Sequence, residues 1–154
     1  MLKLLIKKLH ENAVIPQYAH ESDAGLDLCS CVEAKLPPGE FKLIPTGIAI
    51  GLPPLTQAEI RPRSGLAVNS GITVLNSPGT VDSGYTGEIK VILINHSKQA
   101  FKIVPGMKIA QMVICPVIKV QTVTADILPC TDRGEGGFGS TGTVSGESRQ
   151  LWQL

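Results

Sequence analysis

Glycine and proline interrupt this chain too often for long helices to form. The 154 residues include 16 glycines and 11 prolines, and both residue types are unfavourable inside a helix. Valine, isoleucine and threonine, whose branched side chains suit a pleated strand, number 12, 15 and 10. The pattern therefore excludes a helical bundle and favours short strands joined by tight turns.

The overall composition is typical of a single folded domain with little net charge. Hydrophobic residues make up 43% of the chain, which is enough for a packed core and too many for a disordered protein. Fourteen lysines and arginines stand against 13 acidic residues, so the formal net charge is +1. Bulk charge therefore does not predict binding to nucleic acid or to a membrane surface, and we expect neither partner.

The N-terminal segment does not resemble a secretion signal. Lysines interrupt the apolar residues of segment 1–9, and no stretch approaches the roughly 18 apolar residues of a membrane helix. The four cysteines form no C-x-x-C pair, and we interpret Cys29 and Cys31 as small core residues on one face of a strand. We expect a cytoplasmic protein, or a nuclear one if the source is eukaryotic.

The hydrophobic pattern predicts about ten short strands and one short helix. Residues 2–9 fit either a strand or an amphipathic helix. Residues 88–95 (EIKVILIN) carry the strongest signal for a buried strand. The other predicted strands are 24–29, 40–45, 48–52, 57–61, 72–75, 101–104, 108–115 and 119–125.

One helix is predicted over residues 64–69. Ser64 can cap its beginning and Gly71 can end it. Many short strands at this spacing, with a single helix, predict an all-β fold of the jelly-roll-like barrel or sandwich type.

The C-terminal segment has a different composition, and we divide the chain into a β-domain, 1–131, and a flexible arm, 132–154. Between residues 132 and 148 the only large apolar residues are Phe138 and Val144, and five of the ten residues 133–142 are glycine. Such a segment cannot bury enough surface to fold alone. We therefore expect an arm that becomes ordered on something else.

Arg63 is one of only four arginines and stands directly before the predicted helix. Its planar guanidinium suits phosphate or carboxylate groups, and the free N–H groups at a helix start also favour an anion. The segment RSG at 63–65 is therefore a candidate anion site. A helix start with a solvent-facing arginine would explain the same residues.

The arm contains a G-x-G-x-x-G sequence, GEGGFG, at residues 134–139. A dinucleotide-binding fold would need a helix, a second strand and an acidic residue after it, and the remaining chain is too short. The glycine-rich backbone and the side chains of Arg133, Ser140 and Thr141 can still bind phosphate oxygens, and Phe138 can stack on a planar ring. A flexible linker is the alternative interpretation.

Residues 76–88 form a turn-rich segment that we predict to be the tip of a hairpin between strands 72–75 and 88–95. Asp82 at such a tip could hold and activate water, and Tyr85 could pack on a sugar. Aspartate and glycine are also common turn residues without any catalytic role.

Taken together and in order, five segments resemble the five motifs of the trimeric dUTPase family. They are 24–28 (AGLDL), 63–67 (RSGLA), 76–87, 106–112 (GMKIAQM) and 133–142 (RGEGGFGSTG). The resemblance spans about residues 3–142. It implies a β-clip, jelly-roll-like subunit and a homotrimer with active sites at the subunit interfaces. It also implies Mg²⁺-dependent hydrolysis of dUTP to dUMP and pyrophosphate, which keeps uracil out of DNA and supplies dUMP for dTMP synthesis.

The resemblance also implies a role for each motif residue. Asp82 would be the general base for in-line attack of water on the α-phosphorus, and Asp27 would place Mg²⁺ through water. Tyr85 would pack beneath the deoxyribose and exclude a 2′-hydroxyl. The implied phosphate-binding residues are Arg63, Ser64, Gly65 and Gln111; those at the uracil edge are Asn76, Gly79 and Val81; those of the closing arm are Arg133, Phe138, Gly139, Ser140 and Thr141.

Two other functions remain possible on the sequence alone. A dCTP deaminase-like enzyme of the same fold would need its own acid–base residue for attack at C4, and is not expected to combine Asp82, Tyr85 and the Phe138 arm. A regulatory protein that responds to nucleotide without catalysis is the second alternative. The intact Asp82 argues against that as the sole role.

Overall fold

The computed structural model describes residues 2–140, which contain ten β-strands and one short helix. The strands are Leu5–Lys8 (β1), Leu26–Cys29 (β2), Ala34–Leu36 (β3), Phe41–Gly51 (β4), Thr56–Arg61 (β5), Ile72–Val74 (β6), Gly79–Asp82 (β7), Glu88–Asn95 (β8), Phe101–Ile103 (β9) and Lys108–Pro116 (β10). The helix, α1, is Ser64–Ser70. The predicted all-β fold is therefore confirmed, and the ambiguous segment 2–9 contains a strand.

The chain divides into two compact units, Met1–Lys119 and Val120–Leu154. In the first unit one sheet has the strand order β1-β4-β8-β6, a second has the order β2-β10-β5-β7, and β3 pairs with β9 in a two-stranded ribbon. Every pairing is antiparallel. This is a jelly-roll-like arrangement.

Both four-stranded sheets and the ribbon contribute to one hydrophobic core. On β8, Ile89, Val91 and Leu93 are buried while the residues between them are at least partly exposed, as the alternation of a strand requires. Leu28 and Met112 supply buried side chains from the second sheet. Each such aliphatic side chain contributes roughly 1.5–3 kcal/mol by its removal from water.

Helix α1 begins after an extended residue and ends at a left-handed glycine, and none of its residues is buried. Arg63 is the extended N-cap residue, and no side chain caps the helix, so the prediction that Ser64 caps it is wrong. Ser64 is instead the first helical residue, because the chain turns into the helix one residue earlier than expected. Gly71 ends the helix as predicted, in the left-handed conformation with φ 63°, which glycine adopts without strain.

Three other local predictions differ from the structure. The two predicted strands 40–45 and 48–52 form one strand, β4 (Phe41–Gly51), whose pairing with β8 is irregular between Pro45 and Ala49. Strands β6 and β8 pair as predicted, but the segment between them is more than a hairpin tip, since residues 79–82 form β7 beside β5. The three-residue strand β3 was too short to predict from its hydrophobic pattern.

The described part of the second unit, residues 120–140, contains neither strand nor helix. The predicted strand 119–125 is therefore wrong, because an alternating apolar segment forms a strand only when it has a partner strand. Short turns are found near the end of the described residues: Gly134 N donates to Thr131 O, and Ser140 N donates to Gly137 O, both at 3.0 Å. Thr141 and the rest of the predicted arm lie outside the described residues.

All four cysteines are free thiols. Cys29 and Cys31 are buried, in agreement with their interpretation as core residues, and burial raises the pKa of the Cys31 thiol above its usual value. No helix within residues 2–140 has the length and apolar composition that a membrane crossing requires.

Candidate active site

A cleft of about 510 Å³ lies where β2, β10 and the start of α1 meet. Five residues that the sequence analysis selected line it together: Asp27, Arg63, Ser64, Gly65 and Gln111. The sheet register explains why residues distant in sequence meet here. Asp27 on β2 is directly opposite Gln111 on β10, and Gln111 is opposite Arg61 on β5, two residues before Arg63.

Two cations hold the carboxylate of Asp27. Arg63 Nε lies 3.2 Å from Oδ1 and Lys108 Nζ lies 2.6 Å from Oδ2. Arg63 Nη1 also donates to the backbone carbonyl of Lys108 at 3.3 Å. The Asp27 side chain is only 17% exposed, whereas the side chains of Arg63 and Lys108 are 34% and 47% exposed, so water partly screens these contacts. Lys108 lies within the segment 106–112 but is not among the residues predicted from the sequence.

Gln111 has a fixed position at the floor of this cleft. Its Nε2 donates to the carbonyl of Pro62 at 2.9 Å. A Cβ atom on Gly25 would lie only 2.5 Å from Gln111 Oε1, so glycine at position 25 leaves the room that the Gln111 side chain occupies.

A second cleft, of about 500 Å³, contains the predicted base and the predicted sugar platform. Val81, Asp82 and Tyr85 line it together with side chains of β4 and β8. Tyr85 Oη donates to the carbonyl of Glu88 at 3.0 Å, which folds the ring back over Gly87. A Cβ on Gly87 would lie 2.5 Å from Tyr85 Oη and 2.6 Å from its Cζ, so only glycine permits this position of the ring.

The two clefts are separate within one chain. Asp82 is opposite Gln57 at the beginning of β5, whereas Gln111 is opposite Arg61 at its end, on the other side of the same strand. Four residues along a strand span about 13 Å, and two strand spacings add about 10 Å across it, so the Cα atoms of Asp82 and Gln111 are about 16 Å apart. A single chain therefore does not bring the predicted base to the predicted phosphate-binding residues.

The predicted uracil-reading residues lie on and before β7. Gly79 is opposite Ile60 on β5 and is buried, whereas Asn76 is exposed. A Cβ on Gly79 would lie 3.2 Å from Asn76 Nδ2, so the two residues are neighbours. Neither is among the residues that line the second cleft, although Gly79 and Asp82 share a strand.

The described residues of the arm form a local turn of their own. Arg133 Nε donates to the carbonyl of Gly136 at 2.9 Å. Phe138 is fully exposed and has φ 45°, and Gly139 has φ 93°. Positive φ at a phenylalanine is strained, and the aromatic ring is not part of the hydrophobic core.

The donors in the first cleft suit a magnesium ion that is bound mainly by phosphate and water. Both oxygens of Asp27 are already paired with cations, and residues 2–140 contain no group of three His, Cys, Asp or Glu side chains that could enclose a metal. Mg²⁺ commonly takes only one or two protein carboxylates and completes its shell with water and substrate phosphates. Asp27 fits that role.

Comparison with known proteins identifies the family. The family model described as dUTPase matches residues 11–142. A deoxyuridine 5′-triphosphate nucleotidohydrolase of Gloeothece citriformis is 60% identical over 144 residues, which cover 94% of this chain and 99% of the relative.

Solved structures support the same assignment. A point mutant of the Staphylococcus bacteriophage 80alpha dUTPase, solved with dUpNHpp, matches with a TM-score of 0.86 at 25% identity and covers 92% of this chain and 99% of its own. A point mutant of the dUTPase from phage phi11 of S. aureus, described with a coordinated structural Mg(II) ion, matches with a TM-score of 0.76 at 25% identity. The match covers 81% of this chain and 97% of the phage chain. The family model, the relative and the shared β-clip architecture agree, and the chain belongs to the dUTPase family.

Proposed function

We propose that this protein hydrolyses dUTP to dUMP and pyrophosphate by attack of water on the α-phosphorus. Membership of the dUTPase family and the named relatives support the hydrolysis, and they do not favour the dCTP deaminase-like alternative. The observation that carries the mechanism is the cleft in which Arg63, Ser64, Gly65 and Gln111 meet beside Asp27. In the cell the reaction would lower dUTP and supply dUMP for dTMP synthesis.

The first cleft would bind the triphosphate. Arg63 supplies a charged planar donor. The hydroxyl of Ser64 makes no helix-capping hydrogen bond, and Gly65 has no side chain that would keep a phosphate from its backbone N–H. Gln111 adds an amide whose position is fixed by Pro62. Preorganised donors of this kind stabilise the negative charge that moves onto the leaving pyrophosphate.

The second cleft would supply the base and the sugar site. Asp82 lies at the end of β7 with an exposed side chain, where its carboxylate can accept a proton from the attacking water. Tyr85, held by its hydrogen bond to Glu88, would pack beneath the deoxyribose and leave no space for a 2′-hydroxyl. Asn76, Gly79 and Val81 would contact the uracil edge from the same segment.

We also propose that Mg²⁺ accompanies the substrate, with Asp27 as its protein anchor through water. When bound, the ion would neutralise phosphate charge and favour the reactive conformation of the triphosphate. The structural Mg(II) ion described for the phage phi11 relative supports metal binding in the family. Asp27 itself contributes a fixed carboxylate whose position Arg63 and Lys108 determine.

A homotrimer with active sites at its interfaces would unite the two clefts. The separation of Asp82 from Gln111, about 16 Å on the register of β5, supports a site that is shared between subunits. Large apolar side chains of the second unit are also exposed, by 79–87%, at Val120, Val123, Ile127 and Leu128. Apolar surface of this extent favours burial against a partner.

The arm would complete the site after the substrate binds. Arg133, Gly139, Ser140 and Thr141 would contact phosphates, and Phe138, which is exposed in the structure, would stack on the base. Closure of such a segment excludes water from the reaction.

A nucleotide panel tests the proposed activity directly. Pyrophosphate release should be rapid with dUTP and Mg²⁺, far slower with dCTP, dTTP and UTP, and abolished by EDTA. Ammonia release from dCTP would instead support the deaminase-like function, and equal turnover of all four nucleotides would disprove the specificity. Sedimentation equilibrium should give three times the 16.3 kDa chain mass.

A further inference from the structure

Lys108 reaches Asp27, a lining residue of the first cleft, only because β10 contains a β-bulge. Along β10, Gln111 faces the cleft and Ala110 the core, so strict alternation would turn residue 108 toward the core. The pairing with β2 shifts between Lys108 and Ala110, and Ile109 is the extra residue. Ile109 and Ala110 are both buried, and Lys108 therefore faces the same side as Gln111. Bulges of this kind often redirect a side chain near an active site.

The redirected lysine contacts the carboxylate that also holds Arg63. Lys108 Nζ lies 2.6 Å from Asp27 Oδ2, and Arg63 Nε lies 3.2 Å from Asp27 Oδ1. The backbone carbonyl of Lys108 accepts a further hydrogen bond from Arg63 Nη1. One residue of β10 thus contacts both members of the Asp27–Arg63 pair.

A triphosphate in this cleft would compete with Asp27 for Arg63, since both are anions and the guanidinium prefers planar oxyanions. When Arg63 turns to phosphate, Asp27 loses one of its two cations. A largely buried carboxylate without a cation would repel the substrate and would draw Arg63 back. A second cation that remains on Asp27 removes both effects.

We propose that Lys108 is a positioning residue. Its ammonium group compensates the negative charge of Asp27 and holds the carboxylate in place while Arg63 binds the phosphates of dUTP. The inference rests on the proposed function, because it assigns the first cleft to the triphosphate. Lys108 acts here through Asp27 and not by direct contact with the substrate.

The test measures binding of dUpNHpp in EDTA by calorimetry, together with KM and kcat for dUTP in Mg²⁺. Lys108→Met keeps the aliphatic stem and removes the charge; it should weaken dUpNHpp binding and raise KM by about five- to tenfold, with kcat changed about twofold or less. Lys108→Arg keeps the positive charge and should restore the wild-type dUpNHpp affinity and the wild-type KM. Lys102→Met is the matched control, since it removes another lysine ion pair, to Glu33 at 2.9 Å on the β3–β9 ribbon, and should have no effect.

A double-mutant cycle separates the proposed route from direct phosphate binding. In an Asp27→Asn background, Lys108→Met should change dUpNHpp affinity about twofold or less, since the charge that Lys108 neutralises is gone. An unchanged five- to tenfold loss in that background, or normal affinity of the single variant, would overturn the proposal. The proposal would also be overturned if Lys108→Met lowered thermal stability and Lys108→Arg did not restore dUpNHpp affinity. A wild-type chain that does not hydrolyse dUTP would refute the proposed function itself.

Discussion

Asp82, the proposed general base, carries its carboxylate at the end of a short strand, where it is exposed in the single chain. Asp82→Asn keeps the size of the side chain but cannot accept the proton. We expect kcat for dUTP to fall by about 10²-fold or more, as the loss of a general base causes, while dUpNHpp still binds. Steady-state kinetics and calorimetry measure the two quantities.

Asp126→Asn, a change of another exposed aspartate in the second unit, is the control for Asp82 and should leave kcat unchanged. Near-normal turnover of Asp82→Asn would remove Asp82 from the mechanism.

Gly87 determines where the Tyr85 ring can lie, because a Cβ there would meet the ring at 2.5 to 3.0 Å. Gly87→Ala should displace the ring from the proposed sugar site and admit a 2′-hydroxyl. We expect the ratio of kcat/KM for dUTP over UTP to fall by about tenfold. Gly84→Ala, which meets no atom within 4 Å, is the matched control; equal ratios in the two variants would contradict the role of Gly87.

At the residue scale the sequence predicted several of the cleft residues but not Lys108. The residue types of Arg63 and Asp27 and their place in motifs were visible in the sequence. The direction of the Lys108 side chain depends on the bulge at Ile109, and a bulge appears only when a strand is matched to its partner. The distance between Asp82 and Gln111 could not be predicted from the sequence for the same reason, since it depends on how β7 and β10 align with β5.

At the scale of elements, helix α1 is short and depends on its ends. Gly71 closes it at φ 63°, and a Cβ there would lie 3.0 Å from the backbone nitrogen of Ser97. Gly71→Ala should therefore lower the free energy of unfolding by about 1–3 kcal/mol, from strain and from the close contact. Urea denaturation followed by circular dichroism measures the change.

Gly65→Ala lies within the same helix, and its Cβ would meet no atom within 4 Å. It should leave stability unchanged or raise it by up to about 1 kcal/mol, because alanine favours the helix. Equal losses in the two variants would show that helix α1 tolerates no side chain at either glycine, contrary to the structure.

The elements that the sequence predicted well are those with a long and regular hydrophobic pattern. The strand 88–95 was predicted with the bounds it has, because its alternate residues are buried against both neighbours in the sheet. Strand β7 was missed because it is only four residues long and begins and ends with the turn-forming types Gly79 and Asp82. Its pairing with β5 decides its conformation. Segment 119–125 has the apolar residues of a strand but forms none in the described chain.

At the scale of the whole molecule, two separate clefts predict that subunits complement one another. Arg63→Ala and Asp82→Asn change different clefts. In the proposed homotrimer, mixed trimers of the two variants should therefore contain some sites with both functional halves. Each variant alone should be nearly inactive, whereas co-expressed mixtures should recover up to about a quarter of wild-type activity for random assembly. Pyrophosphate release from purified mixed trimers measures the recovery.

The matched control combines two variants of the same cleft. Arg63→Ala and Gln111→Ala change residues that line one cleft of one chain, so their mixtures should recover nothing. Verified mixed trimers of Arg63→Ala and Asp82→Asn that remain inactive would contradict the shared site.

The placement of Asp82 and Gln111 on opposite sides and opposite ends of β5 bears on inheritance as well as on catalysis. In a trimer with shared sites, a chain that folds normally but lacks one catalytic group disables one site for each copy of that chain. A defective allele expressed beside an intact one would therefore lower activity only in proportion to its dose. Two defective alleles that affect different clefts would instead complement each other when both are inherited.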